Sequence, residues 1–338
     1  MNEREQTMTQ GTPEKSDDTS LWGYVSGRIS VLETQLMNRA FFESLARSRT
    51  FGDAQSLLSK TPYRLYFTTN ETVNDYSLTL DLAFQRMIDG ILKDAPAHPM
   101  EFYFHASDRY VYFRNLYIRL STRNVSAPEL ENTFEALAET ADEQGAVSGH
   151  RQMVANREAP GQNNPVARSL FLDSVLTTLK LQLSSSIGEE LIQRVFRDTT
   201  LLEGWTAMLR SRWNGTDPDV IQAWFIVPDE YKEFVRNTSL LALTNPVQAL
   251  QGYVSDTALN ALAGITVESL RQNLDNHVRD AVRENILACR MFPYGPEKLL
   301  SYYLALKIEN ENLRLALSSV VSGIESRIVM ERFRREYA

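Results

Sequence analysis

The sequence predicts an all-α fold assembled from three degenerate copies of one helical hairpin. Three observations carry that reading. Apolar residues recur at three- and four-residue spacing through most of the chain after residue 20, no alternating strand of convincing length interrupts them, and three long blocks share one internal layout. The 338 residues suffice for two or three core-bearing units or one extended helical body. A hydrophobic share of 43% against 23% charged residues is near the globular average, so a sizeable core can form.

From the N-terminus, residues 1–20 lack an apolar core of signal-peptide length and read as a solvated, disordered polar tail. Tyr24, Ile29, Leu32, Leu36 and Phe42 then recur every three to six residues, which predicts helix from Trp22 to Ala46. A second short helix, Phe51 to Leu58, ends before Thr61-Pro62, because proline cannot continue a helix and pushes its predecessor toward extended backbone. YRLYFTT alternates weakly between helical neighbours and is assigned to loop or helix end.

The three blocks follow. Each opens with a helix bearing an early aspartate: Asp81 in LDLAFQRMIDGIL, Asp173 in LDSVLTTLKLQL and Asp280 in RDAVRENILACRM. Each breaks at a Pro-, Gly- or Ser-rich turn (DAPAHP, SSSIG, FPYGP) and resumes as a second helix carrying a two-residue marker. The markers are Asn115-Leu116, Gly204-Trp205 and Asn312-Leu313, each followed four residues later by leucine: Leu120, Leu209 and Leu317. From aspartate to marker the spacing is 34, 31 and 32 residues, differences that a turn absorbs. Asn124, Asn214-Gly215 and Gly323 then supply the stops. Successive markers stand 89 and 108 residues apart, far beyond a solenoid period, so each unit holds further helices. The expected division is a tail over 1–20 and repeats over 21–125, 126–215 and 216–338, the last including a C-terminal helix.

The final helix, from Pro296, starts with proline and glutamate in its first turn, as a helix N-terminus prefers. Leu299, Tyr303, Leu306, Asn310, Leu313, Leu317 and Val320 step by four and three, one face kept over about three heptads. Asn310 on that face must find a partner, a neighbouring backbone or a specific side chain, or stand at the edge of the stripe. Glu309, Glu311 and Arg314 form a charged cluster: paired carboxylates do acid–base chemistry only in a pocket that shifts their pKa values, Glu311 and Arg314 are spaced to pair along the helix, and a solvated or interhelical ion pair is the better reading.

Several chemistries are disfavoured. A net charge of −8 without a Lys/Arg block argues against nucleic acid as a partner. The one cysteine, Cys289, lies in a helical stretch without an obvious electropositive setting, reads as a buried structural thiol, and suits a reducing compartment. His98, His105, His150 and His277 match no metal-ligand spacing, and neither a P-loop nor a G-x-S-x-G elbow occurs. No run reaches the roughly 18 apolar residues that cross a bilayer. These absences predict no catalytic, cofactor-binding or metal-ligating residues, and a cytoplasmic protein without direct membrane insertion.

The order of features resembles the C-subunit family of the bacterial and archaeal V-type (A/V-type) ATPases, whose eukaryotic counterpart is the d-subunit. Leu299, Leu300, Tyr302, Leu304, Lys307, Glu309, Glu311, Asn312, Leu313 and Arg314 carry the resemblance in the last hairpin. Ser322-Gly323-Ile324 before a charged terminal helix extends it, and FFESLARSRTFGDAQSLLSKTPY resembles the family's N-terminal stretch. Gly204-Trp205 stands where that pattern has Asn-Leu, and the first hairpin lacks an acidic residue close before Asn115. The resemblance spans about residues 20 to 338. It implies a funnel of three helical domains about a pseudo-threefold axis, present in one copy per complex. It also implies a non-catalytic central-stalk component on the cytoplasmic face, whose partners are the proteolipid ring and the central shaft. The alternatives are a helical scaffold or adaptor unrelated to ATPases, or an enzyme with a dispersed site.

Overall fold

A computed structural model describes residues 16–67, 76–101, 103–104 and 165–333. Among them the fold is all-helical, with no strand. In chain order the α-helices are α1 (Ser16–Glu33), α2 (Arg39–Ala46), α3 (Phe51–Leu58), α4 (Tyr76–Leu92), α5 (Pro165–Ser185) and α6 (Glu190–Trp213). There follow α7 (Pro218–Trp224), α8 (Lys232–Leu241), α9 (Asp256–Leu262), α10 (Val267–Arg290), α11 (Pro296–Ser322) and α12 (Ser326–Met330). Short 3-10 turns lie at Pro62–Leu65, Asp229–Tyr231 and Pro246–Leu250.

The chain divides into two compact units, and the first is built from both ends of the sequence: Met1–Pro96 with Phe292–Ala338. The second is the continuous stretch Ala97–Met291. The border expected at 215/216 falls inside the second unit, between α6 and α7, and the one at 125/126 lies outside the described residues.

In the first unit α11 is the axial element, contacted by α1, α2, α3, α4 and α12. Its ends are set locally. Gly295 takes φ +101° before Pro296, and Gly323 takes φ +64°, a left-handed conformation that glycine adopts without a Cβ clash. The amides of Gly323 and Ile324 both reach the Ser319 carbonyl, closing the last turn. Along the predicted stripe Leu299, Tyr303, Leu306, Asn310, Leu313 and Leu317 are buried and Val320 is half-buried. Leu313 and Leu317 join Phe42, Leu45, Leu58 and Leu80 in a core that draws on both chain ends.

The single helix expected over Trp22–Ala46 is two. Thr34 turns its hydroxyl onto the Val31 carbonyl (2.7 Å), and Asn38 caps α2 by accepting from the Phe41 amide (3.1 Å). Side chains that bond nearby backbone compete with helix continuation, and the chain breaks between them. Tyr24, expected on the inner face, is 62% exposed, while Val25 and Ile29 are buried. The tail expected over 1–20 gives way to helix at Ser16. The α3 boundaries fall where the sequence placed them, secured by a capping box between Thr50 and Asp53.

The second unit contains one of the three expected hairpins. Helices α5 and α6 pack antiparallel, with Thr177 against Gly204 and Lys180 against Glu203. In the third, the Asp280 helix (α10) and the Asn312 helix (α11) belong to different units. The second helix of the first, with Asn115 and Leu116, lies outside the described residues. Helix α10 packs on α6 and α9, and carries a kink at Asn273 (φ −135°, ψ 32°).

Candidate functional site

The densest polar chemistry in the first unit is a seam along α11, where most of the long-range bonds cross between the two ends of the chain. At its start the Gly295 amide donates to Ser26 Oγ of α1 (3.1 Å). One turn on, Lys298 is ion-paired to Glu33 of α1, with side chains only 10% and 18% exposed. Arg28 of α1 donates to the Gly90 carbonyl of α4 (2.7 Å) and pairs with Asp94. Farther along α11, Glu309 Oε2 accepts from the Met37 amide (2.6 Å), in the break between α1 and α2. Asn310 Nδ2 donates to the Leu80 carbonyl of α4 (2.8 Å). Arg314 reaches Ser77 Oγ (2.6 Å) and Asp81 Oδ1 (2.5 Å) on α4.

Two expectations resolve here. Asn310 does contact a neighbouring backbone. Arg314 makes the interhelical form of the expected ion pair, with Asp81, because α4 runs antiparallel beside it and presents a carboxylate at the right height. This pairing also explains Asp81, the early aspartate of the first block.

Glu309 is the residue whose setting departs most from expectation, since it belongs to the core and not to a charged cluster. It is 5% exposed. Burial pushes its carboxyl up from 4.5 to about 7, against the partial relief of the Met37 amide and the nearby Tyr63 hydroxyl. That hydroxyl is charge-coupled to the carboxyl, but no well-aligned hydrogen bond joins them. Burial also raises Tyr63 and Tyr302 above the ordinary tyrosine value, so both stay neutral around the carboxyl. The sequence held a clue: Glu309 stands three residues after Leu306 and four before Leu313, on the buried stripe itself.

The four marker residues that the structure describes are core residues. Gly204 lets α6 approach its neighbours closely; a Cβ there would meet the Phe225 ring at 3.1 Å and Thr177 Oγ1 at 3.2 Å. Trp205 is fully buried and donates from Nε1 to the Pro246 carbonyl (3.1 Å). Asn312 and Leu313 are fully buried on α11. The markers are not gathered into one site: Gly204 and Trp205 lie in the second unit, Asn312 and Leu313 in the first, and Asn115 and Leu116 outside the described residues.

Several polar groups of the second unit bond one another across its helices. Asp198, fully buried on α6, accepts from the Ser255 amide (3.2 Å), the Ser255 hydroxyl (2.5 Å) and Asn285 Nδ2 (2.9 Å), tying α6 to α9 and α10. Lys180 pairs with Glu203 (2.7 Å), and its ammonium lies over the Tyr103 ring at 5.7 Å. His98 bonds a carboxylate, Glu189 at 3.0 Å, contributed from 91 residues away and so invisible to local spacing. His277 bonds Ser269 at 3.1 Å, and among the described residues no carboxylate bonds its other ring nitrogen to complete a Ser-His-carboxylate triad. Cys289 is buried, as its sequence context predicted. An open hollow of about 700 Å³ beside α9 is lined by Asn245, Gln248, Gln251, Asp256 and Asn260, all exposed. Among the described residues no three His, Cys, Asp or Glu converge as metal ligands, and no helix is long and apolar enough to cross a membrane.

No protein-family model matches the chain, and no curated protein matches it at a significant level.

Proposed function

We propose that the chain is a non-catalytic central-stalk component of a rotary V-type ATPase, coupling the central shaft to the proteolipid ring during ATP-driven ion transport or ATP synthesis. One observation supports this reading above the others. The two stretches that carry the resemblance, residues 41–63 and 299–314, are far apart in sequence and fold against each other in one unit around α11. Their matching residues are used as structure. Leu313 fills the core, Glu309 ties down the break between α1 and α2, and Arg314 holds α4.

A protein with this coupling role needs stiff helical surfaces and no chemistry of its own. Polar side chains spent on joining helices suit that work, since each buried bond resists separation of the elements it joins. In this reading the protein sits once per complex on the cytoplasmic face, and the three hairpin blocks are the remains of three domains about a pseudo-threefold axis.

The test is capture of the tagged chain from detergent-solubilised membranes of its native cell. The nucleotide-binding head and the proteolipid are expected to co-purify with it. Recovery of a monomer free of any other ATPase component overturns the proposal and leaves an unrelated helical scaffold or adaptor as the better reading.

A further inference from the structure

The break between α1 and α2 is held shut by an unusual group. Its buried amide, at Met37, is satisfied by a side-chain carboxyl that arrives from 272 residues away and has left water to do so. Among the described residues no cation bonds that carboxyl. Lys298 is committed to Glu33, about three turns back along α11, and Arg314 to Asp81 on α4. The surrounding titratable groups are Tyr63 from the 3-10 turn, Tyr66 just after it and Tyr302 from α11, with Glu33 and Arg28 of α1 farther along the seam. Among other charges on the packed elements, Glu43 of α2 pairs with Arg39 and Arg47, Asp53 of α3 with the Thr50 amide and Arg327 of α12 with Glu325, while Arg86 and Asp89 of α4 and Lys307 of α11 are exposed.

We propose that the Glu309 carboxyl is a proton-operated latch: protonated, it holds the α1–α2 break closed on α11, and ionised, it loosens that break. A neutral carboxyl can remain in this pocket, accepting from Met37 beside two neutral tyrosines. An ionised one carries a buried charge with no countercharge among the described residues, and opening the break is the direct way to hydrate it. The latch stands on this geometry and does not depend on the role proposed above.

The sign follows from the two proton affinities. In the closed state the carboxyl titrates at about 7, and once hydrated it returns toward 4.5. Below about 4.5 both states hold the proton, and opening does not depend on pH. Between these values the closed state keeps a proton that the open state releases, so rising pH favours opening by about tenfold per unit. Above about 7 both states are ionised and the dependence levels off.

Hydrogen exchange on the full-length chain from pH 5 to 8.5 tests this, with rates divided by the intrinsic chemical rate at each pH. Protection of the Met37 amide is expected to fall about tenfold per unit between pH 5 and 7 and to flatten by pH 8. Amides of the α5–α6 hairpin should not follow it. Glu309→Gln keeps an acceptor for Met37 without a titrating proton, and its profile should be flat. A flat profile in the unmodified chain, or an equally steep one in Glu309→Gln, overturns the latch. If Glu309→Gln does not fold, carbon-13 glutamate spectra of the unmodified chain decide: a Glu309 midpoint below about 5 also overturns it.

Discussion

At Gly204 two effects of comparable size oppose each other. Replacing a mid-helix glycine by alanine ordinarily gains about 1 kcal/mol through the lower backbone entropy of the unfolded chain. Here the added methyl would lie 3.1 Å from the Phe225 ring and 3.2 Å from Thr177 Oγ1, tighter than a packed interior tolerates without moving something. Phe225 is itself 2% exposed and has little freedom to retreat. Gly204→Ala is therefore expected to destabilise the chain by about 1–3 kcal/mol in urea unfolding. Adding Phe225→Leu should recover part of that loss. A neutral or stabilising Gly204→Ala would mean that α5 and α6 have room to spare.

At the scale of the element, α11 shows how one helix holds several others without a continuous apolar surface. Its pair with α4, Arg314–Asp81, is 39% and 56% exposed and is worth under about 1 kcal/mol. The Lys298–Glu33 pair with α1 is largely buried, and removing one partner strands the other charge out of water. Lys298→Ala should cost about 3–5 kcal/mol, while Lys298→Met together with Glu33→Leu should cost far less; chemical unfolding of both variants checks the contrast. The bounds of α11 and the end of α3 were legible in the sequence because Pro296, Gly323 and Pro62 act on the backbone within a few residues. The α1–α2 break was not, because neither proline nor glycine marks it. Its cause is a threonine and an asparagine, which also occur inside helices. The partners of Arg314 and His98 were equally hidden, being 233 and 91 residues distant. Asn310 was partly legible, since a polar residue on an apolar stripe demands a bond without saying from where.

For the whole molecule, the division into a discontinuous and a continuous unit sets what each part of the chain can do alone. Residues 97–291 form an uninterrupted stretch with its own buried centre at Trp205, Phe196 and Phe234. That fragment is expected to unfold cooperatively by circular dichroism. A chain truncated after residue 291 loses α11, the helix on which α1, α2, α3 and α4 pack, and should keep only the second unit's transition. Persistence of a folded first unit in the truncated chain would contradict the axial role given to α11. Sequence periodicity could not reveal this division, because a 3.6-residue repeat records that a face is buried and not which segment covers it.

The discontinuity of the first unit also orders events during synthesis. Helices α1 to α4 leave the ribosome some 200 residues before α11, and until then they lack the surface they are shaped to cover. At about 5–20 residues per second that wait lasts on the order of 10–40 seconds. The intervening unit, contiguous and rich in near-neighbour contacts such as the α5–α6 hairpin, can complete its fold in that interval. Its collapse replaces a flexible loop of 195 residues by a compact body, which lowers the entropy lost when the last long helix closes on the first ones. The chain's waiting time, with Phe42, Leu45 and Leu58 uncovered, is thus when this protein is most exposed to aggregation and most in need of a chaperone.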